Sequence, residues 1–251
     1  MNSCGIIGSA GRWPGLLVFS VRVAARRGGT AIRFAPEDRA VRHLVDQDAR
    51  LAALIAYVGI VEVPLRGEYF PSLVRAVVGQ QLSVHVADCI YRRLEAQIAL
   101  TPEALRAASD QTLRACGLSA AKMVYVRDLA EKVALGDLVL DRLAGLPDEQ
   151  VTKQLMAVKG IGTWTAAIFL IFSLGRLDVM ATTDGGLRRA VHWLYAHGSD
   201  DSGQVPDWTE MGRRWRPYRT VASLYLWEII NQNLVARPRE AVLPTLEESN
   251  P

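Results

Sequence analysis

The residues best suited to chemistry in this chain fall between Leu155 and Ala190. A hydrophobic-x-Gly-hydrophobic-Gly turn, Val158-Lys-Gly-Ile-Gly162, sits between two helix-forming stretches, and an apolar run then leads to the carboxylate of Asp184. Gly160 and Gly162 have no Cβ, so the chain can bend sharply there and approach a phosphate closely. Met156, Val158 and Ile161 supply the apolar positions around the turn. Amides opening the following helix, from Gly162 through Thr163 to Thr165, face outward, where the helix dipole favours an anion. This pattern reads as a helix-hairpin-helix, a main-chain clamp that holds nucleic acid in register without reading bases. An ordinary helix, glycine turn and helix within a core is the competing reading.

Helices must position these groups. From Asp38 onward, apolar residues recur at helical spacing, with Gly and Pro as punctuation. Tyr69 to Ile98 reads as two helices broken by the polar turn Gly79-Gln-Gln-Leu-Ser83. Thr101-Pro-Glu opens another that stops near Cys116-Gly117, with Thr101 as its cap and Pro102 at the first helical position. Ser119 to Leu135 follows. A short helix starting at Pro147-Asp-Glu leads into the hairpin, and Thr163 to Leu174 leaves it. Gly185 to Ala196, Asp207 to Trp215 and Tyr218 to Asn233 complete the set. Strand-like alternation is scarce, with Ile55 to Val63 ambiguous. The expected fold is therefore all-α, a two-lobed helical bundle with the active-site cleft between its lobes. Residues 1–36 are expected to form a poorly ordered or loosely docked extension, 37–240 the globular domain of two helical lobes and 241–251 a C-terminal tail.

With 251 residues, half of them hydrophobic, one sizeable core can form. Net charge is only +3, yet the basic residues are almost all Arg, the side chain suited to bidentate phosphate contacts. This balance permits DNA binding without proving it. Cys4, Cys89 and Cys116 are scattered and lack a C-x-x-C pair, which argues against a disulfide framework and a zinc site and for a reducing compartment. His43, His85, His192 and His197 show no metal-ligand spacing. No apolar run is long enough to span a bilayer.

Taken together, Gly160-Ile-Gly-Thr-Trp-Thr-Ala166, Asp178-Val179, Asp184-Gly-Gly-Leu-Arg-Arg-Ala190, Val77-Val-Gly-Gln-Gln-Leu-Ser83 and Trp215-Arg-Pro-Tyr-Arg219 continuing to Trp227 resemble the AlkA-type 3-methyladenine DNA glycosylases. These belong to the helix-hairpin-helix glycosylases that carry a Gly/Pro-rich loop and an essential Asp. The resemblance runs in order from about Phe70 to Asn233.

It implies that Asp184 is the catalytic carboxylate, stabilising positive charge at the sugar C1′ and positioning the attacking water. A plain helix N-cap before Leu187 is compatible with that role. Asp178, the nearest competitor, takes a structural place at the end of the preceding helix. Trp164, Trp227 and Tyr225 would line a base pocket in which an alkylated, cationic purine stacks; the alternative for these aromatics is core packing. Gln80, Gln81, Leu82 and Ser83 would enter the minor groove, with Gln81 or Leu82 as the wedge that fills the hole left by the flipped nucleotide. A polar inter-helix turn is the plainer reading of those four.

The resemblance also implies a Na or K ion held by the main-chain carbonyls of Met156, Val158 and Ile161, with no cofactor required. Relatives that cleave the strand place a Lys where this chain has Trp164, and iron-sulfur relatives need four closely spaced Cys near the C-terminus, whereas no Cys follows Cys116. The expectation is a monofunctional, monomeric, cytoplasmic enzyme, nucleoid-associated if bacterial, acting on damaged double-stranded DNA. Departures from the family pattern are a Pro-free Met180-Ala-Thr-Thr183 loop and Ile168 at a position that is aromatic in some relatives. A non-catalytic DNA-binding module and a glycosylase for mismatched or oxidised bases are the alternatives.

Overall fold

A computed structural model describes residues 31–196 and 207–243. The described residues begin with strand β1 (Ala31–Phe34), followed by α1 (Arg39–Gln47), α2 (Ala49–Val58) and β2 (Val61–Pro64). The two strands pair antiparallel, Ala31 opposite Pro64 and Phe34 opposite Val61. Residues 31–36 of the segment expected to be an extension are packed in the fold: Phe34 and Ala35 are buried, as are Val61 and Val63 of the paired strand. The ambiguous Ile55 to Val63 run resolves into the end of α2 and β2. His197, Cys4 and residues 1–30 lie outside the described residues.

Next come α3 (Tyr69–Gly79), α4 (Val84–Gln97), α5 (Pro102–Ala107), α6 (Asp110–Ala115), α7 (Ala120–Ala134), α8 (Asp148–Met156) and α9 (Thr163–Phe172). The helix expected from Thr101 to Cys116 is in fact two. Ala108 is extended and the Ser109 hydroxyl accepts from the Thr112 amide at 3.1 Å, capping a new start. A 3-10 turn at Leu140–Gly145, not foreseen from periodicity, links α7 to α8. The last elements are α10 (Gly185–Tyr195), α11 (Trp208–Trp215), α12 (Arg219–Asn231) and α13 (Arg239–Val242). Val242 and Leu243 are buried, so the expected tail from residue 241 begins within packed structure.

The described residues form two lobes sharing one apolar core. Helices α3 to α9 pack on one another around α3, α7 and α9, while α10 and α11 pack with α1 and α2 around α12. Helix α12 is the buried post of its lobe: Thr220 through Ile230 are all buried. Its lobe is locked by Asp48, which caps α2 through the Leu51 amide and accepts from the Tyr195 hydroxyl at 2.7 Å and the Trp215 indole at 3.0 Å. Burial, then the neighbouring Asp48, push the Tyr195 hydroxyl well above its ordinary pKa. The lobes join where the Arg66 amide donates to the Phe172 carbonyl and where the Phe172 ring lies 5.8 Å from that of Trp227.

Candidate active site

The hairpin occupies residues 157–162 between α8 and α9. Its turn closes through the Val158 amide to the Leu155 carbonyl and the Ile161 amide to the Val158 carbonyl, 3.0 and 3.1 Å. Val158 and Ile161 are buried and anchor the turn in the core. Gly160 has φ +76°, and a Cβ there would overlap the Tyr125 ring on α7. Gly162, at φ −103°, caps α9 without a side chain, and a Cβ there would stand in open space. Among the described residues no side chain caps the start of α9, and Gly162 and Thr163 are exposed there, open to an outside acceptor.

Contacts from other helices brace the turn, and sequence spacing does not reveal them. The Lys159 amide donates to Asp128 Oδ2 at 2.8 Å, tying the hairpin to α7. Gln80 Nε2 donates to the Gly160 carbonyl at 2.8 Å and to Thr165 Oγ1 at 3.0 Å. Lys122 Nζ in turn caps the end of α3 through the carbonyls of Val78 and Gln80, and burial lowers its pKa.

Two expected DNA contacts are thereby corrected: the Gln80 side chain is a strut, and the Thr165 side chain, 1% exposed, faces the interior to receive it. Gln81 instead projects as an exposed residue at φ +57°, while Leu82 packs partly against the core. Ser83 caps α4. Thr163 is exposed beside Gly162.

Asp184 is the N-cap of α10, with Oδ1 accepting from the Leu187 amide at 2.7 Å. The same Oδ1 accepts from Trp227 Nε1 at 3.0 Å, and Oδ2 accepts from Trp164 Nε1 at 2.8 Å. Trp164 comes from α9 of one lobe and Trp227 from α12 of the other, so the carboxylate lies at the junction of the lobes, one helix away from the hairpin. Asp184 is only 4% exposed, more enclosed than a carboxylate lying open beneath a sugar.

Of the three aromatics expected in a base pocket, only Trp164 is half-buried. Trp227 is 1% exposed and serves the carboxylate. Tyr225 is a correction: it lies on the far side of α12, fully buried, with its hydroxyl donating to the Gly59 carbonyl at 3.0 Å and its pKa pushed up to about 12 by burial. Two residues apart on a helix is about 200°, so Tyr225 and Trp227 cannot share a face.

Asp178 is committed to Arg219. Its carboxylate accepts from Nε at 2.7 Å and Nη2 at 3.0 Å, and its carbonyl accepts from Nη2 at 2.7 Å. Asp178→Asn is expected to destabilise the fold by about 1–3 kcal/mol without removing chemistry. Thermal unfolding alongside any activity assay checks both parts.

Among the described residues, no cluster of His, Cys, Asp or Glu could hold a metal ion, and no helix is long and apolar enough to cross a membrane.

Two helical lobes, a hairpin with an uncapped helix start, and a buried carboxylate between them define a class of DNA repair fold. Residues 74–209 match the model of the HhH-GPD superfamily base excision DNA repair proteins. The chain belongs to this superfamily. It is 33% identical to DNA-3-methyladenine glycosylase 1 of Schizosaccharomyces pombe, over 64% of this chain and 72% of that protein. The crystal structure of a DNA-3-methyladenine glycosidase from Bacillus halodurans superposes with a TM-score of 0.69 at 41% identity, over 79% of this chain and 92% of that one. The Schizosaccharomyces pombe enzyme Mag1 in complex with abasic DNA superposes with a TM-score of 0.67 at 30% identity, over 76% of this chain and 96% of that one.

Proposed function

We propose that this protein is a monofunctional DNA glycosylase that hydrolyses the N-glycosidic bond of alkylated purines such as 3-methyladenine, leaving an abasic site in double-stranded DNA. The observation that carries this reading is the Asp184 carboxylate, fixed by three N–H donors from both lobes close to a phosphate clamp. Its Oδ1 accepts from Leu187 and Trp227, whereas Oδ2, among the described residues, accepts from Trp164 alone. The second lone pair of Oδ2 is the one that this reading assigns to the sugar.

As the base departs, positive charge builds at C1′ and in the ring. A fixed anion in a poorly solvated site stabilises it and holds the attacking water. An alkylated purine is already cationic, so it leaves without strong acid catalysis. The half-buried Trp164 is the aromatic neighbour against which it stacks, worth roughly 0.5–2 kcal/mol. The nucleotide reaches the enclosed carboxylate along this residue. Gln81, exposed at the tip of its turn, fills the gap left in the duplex.

The donor set of the hairpin fits an alkali-metal ion. Among the described residues, the carbonyls of Met156 and Ile161 accept no hydrogen bond, and that of Val158 accepts only the Ile161 amide. A bound ion would add positive charge beneath the phosphate held by the α9 amides.

Single-lesion duplexes carrying methylated purines test the proposal. Base release is expected, with strand breakage only after alkali treatment and no covalent adduct on borohydride addition, since Trp164 stands where strand-cleaving relatives place Lys. Release of mismatched or oxidised bases in place of methylated purines, or a trapped adduct, would overturn the substrate or the monofunctional reading respectively.

The role of Trp227 gives a separate expectation. Trp227→Phe removes one donor from Oδ1 and should slow single-turnover base release by about 10- to 100-fold, with affinity for an abasic-analogue duplex unchanged. Equal loss of both would point to collapse of the site instead.

A further inference from the structure

A second cleft lies beside the catalytic loop, with a volume of about 900 Å³. Its walls are Thr182, Arg188 on the first turns of α10, and Trp208, Thr209, Arg213 and Arg216 from α11 and its end. Met180 and Arg219 form its inner edge and also line the cleft that borders the hairpin at Met156 and Thr163. The two clefts thus adjoin across Met180 and Arg219, between the start of α9 and the arginines, and the hairpin cleft also carries Asp148 and Glu149 on its far wall.

The charge of this cleft is one-sided among the described residues, none of the residues that line it being a carboxylate. Arg219 is held by Asp178 at the edge shared with the hairpin cleft, and Arg213 makes one long contact of 3.4 Å to Glu210. The guanidinium groups of Arg188 and Arg216 are exposed and have no hydrogen-bond or ion-pair partner among the described residues. Like charges gathered without counter-ions are unfavourable unless a polyanion meets them. Arginine forks with threonine hydroxyls between them match the oxygens of a phosphodiester chain, and the face of Trp208 adds a surface suited to a base or sugar.

We infer that this cleft binds the phosphodiester backbone of the DNA strand that carries the lesion, with Arg188 and Arg216 each meeting a phosphate beyond the one gripped by the hairpin. The inference rests on the reading of the chain as a DNA-acting glycosylase. It adds a second grip on the same strand. With the hairpin on one side of the Asp184 loop and the arginines on the other, the strand is held on both sides of the flipped nucleotide, which keeps the sugar in register with the carboxylate.

The test is the salt dependence of binding to an undamaged duplex and to one carrying an abasic analogue. Each neutralised phosphate contributes about 0.9 to the slope of log K against log salt. Arg188→Gln/Arg216→Gln is expected to lower that slope by about 1.8, and each single variant by about half as much. Arg106→Gln/Arg114→Gln, on α5 and α6, removes the same net charge and is expected to leave the slope unchanged. An unchanged slope in the cleft variant, or an equal fall in both double variants, overturns the inference. Because binding is read on DNA that needs no cleavage, this result is independent of whether the wild-type protein releases a base, which tests the glycosylase reading itself.

Discussion

Replacing Asp184 by Asn is expected to reduce base release by roughly a thousandfold and to leave affinity for an abasic-analogue duplex within a few-fold of wild type. The amide is isosteric and can keep the cap of α10, because its oxygen can still accept from the Leu187 amide and the Trp227 indole. Its nitrogen then faces Trp164 Nε1, donor against donor, where Oδ2 had accepted at 2.8 Å. The variant therefore loses the negative charge and one buried hydrogen bond. The bond costs about 1–3 kcal/mol of stability; the charge carries the chemistry. Adding Trp164→Phe removes the clash between donors without restoring the anion, so an Asp184→Asn/Trp164→Phe protein should regain stability and remain inactive. Wild-type excision by Asp184→Asn, or loss of excision by Asp178→Asn at full stability, would sink the assignment.

The low exposure of Asp184 fits this expectation. An electrostatic contribution grows as water is excluded, provided that the charge is held by fixed dipoles. Three N–H donors from α9, α10 and α12 are those dipoles, and the two indoles can reach one carboxylate only when both lobes are assembled.

What the sequence made legible follows from the range of the forces involved. The hairpin, the cap at Asp184 and most helix boundaries are encoded within a few residues: a glycine where φ must be positive, a short polar side chain before a run of helix formers, an apolar period of 3.6. Ser109 obeyed the same rule, and its cap before Asp110 could have divided α5 from α6. Helical geometry alone could also have separated Tyr225 from Trp227. Gln80 was different. Its amide crosses to Gly160 and Thr165, about eighty residues along the chain, and no local pattern distinguishes a strut from an exposed contact. The same holds for Asp128 at the Lys159 amide and for the pairing of β1 with β2, which depends on a partner strand about thirty residues away.

The two hairpin glycines should respond in opposite ways to the same added methyl group. At Gly160, φ is +76° and a Cβ would enter the Tyr125 ring. The left-handed backbone costs about 1–2 kcal/mol for alanine and the overlap about 1–3 kcal/mol. Gly160→Ala should therefore lower Tm by roughly 4–20 °C for a domain of this size and weaken duplex binding, because the turn that aims the α9 amides is displaced together with its Gln80 and Asp128 braces. Removing the ring with Tyr125→Ala should recover the steric part only. At Gly162 the backbone is ordinary and no atom lies within 4 Å of the added Cβ. Gly162→Ala should leave Tm essentially unchanged and still weaken DNA binding, since the methyl group projects into the space from which a phosphate approaches the amides. If Gly162→Ala bound DNA as wild type did, the phosphate could not lie against the start of α9. The hairpin would then serve the fold alone.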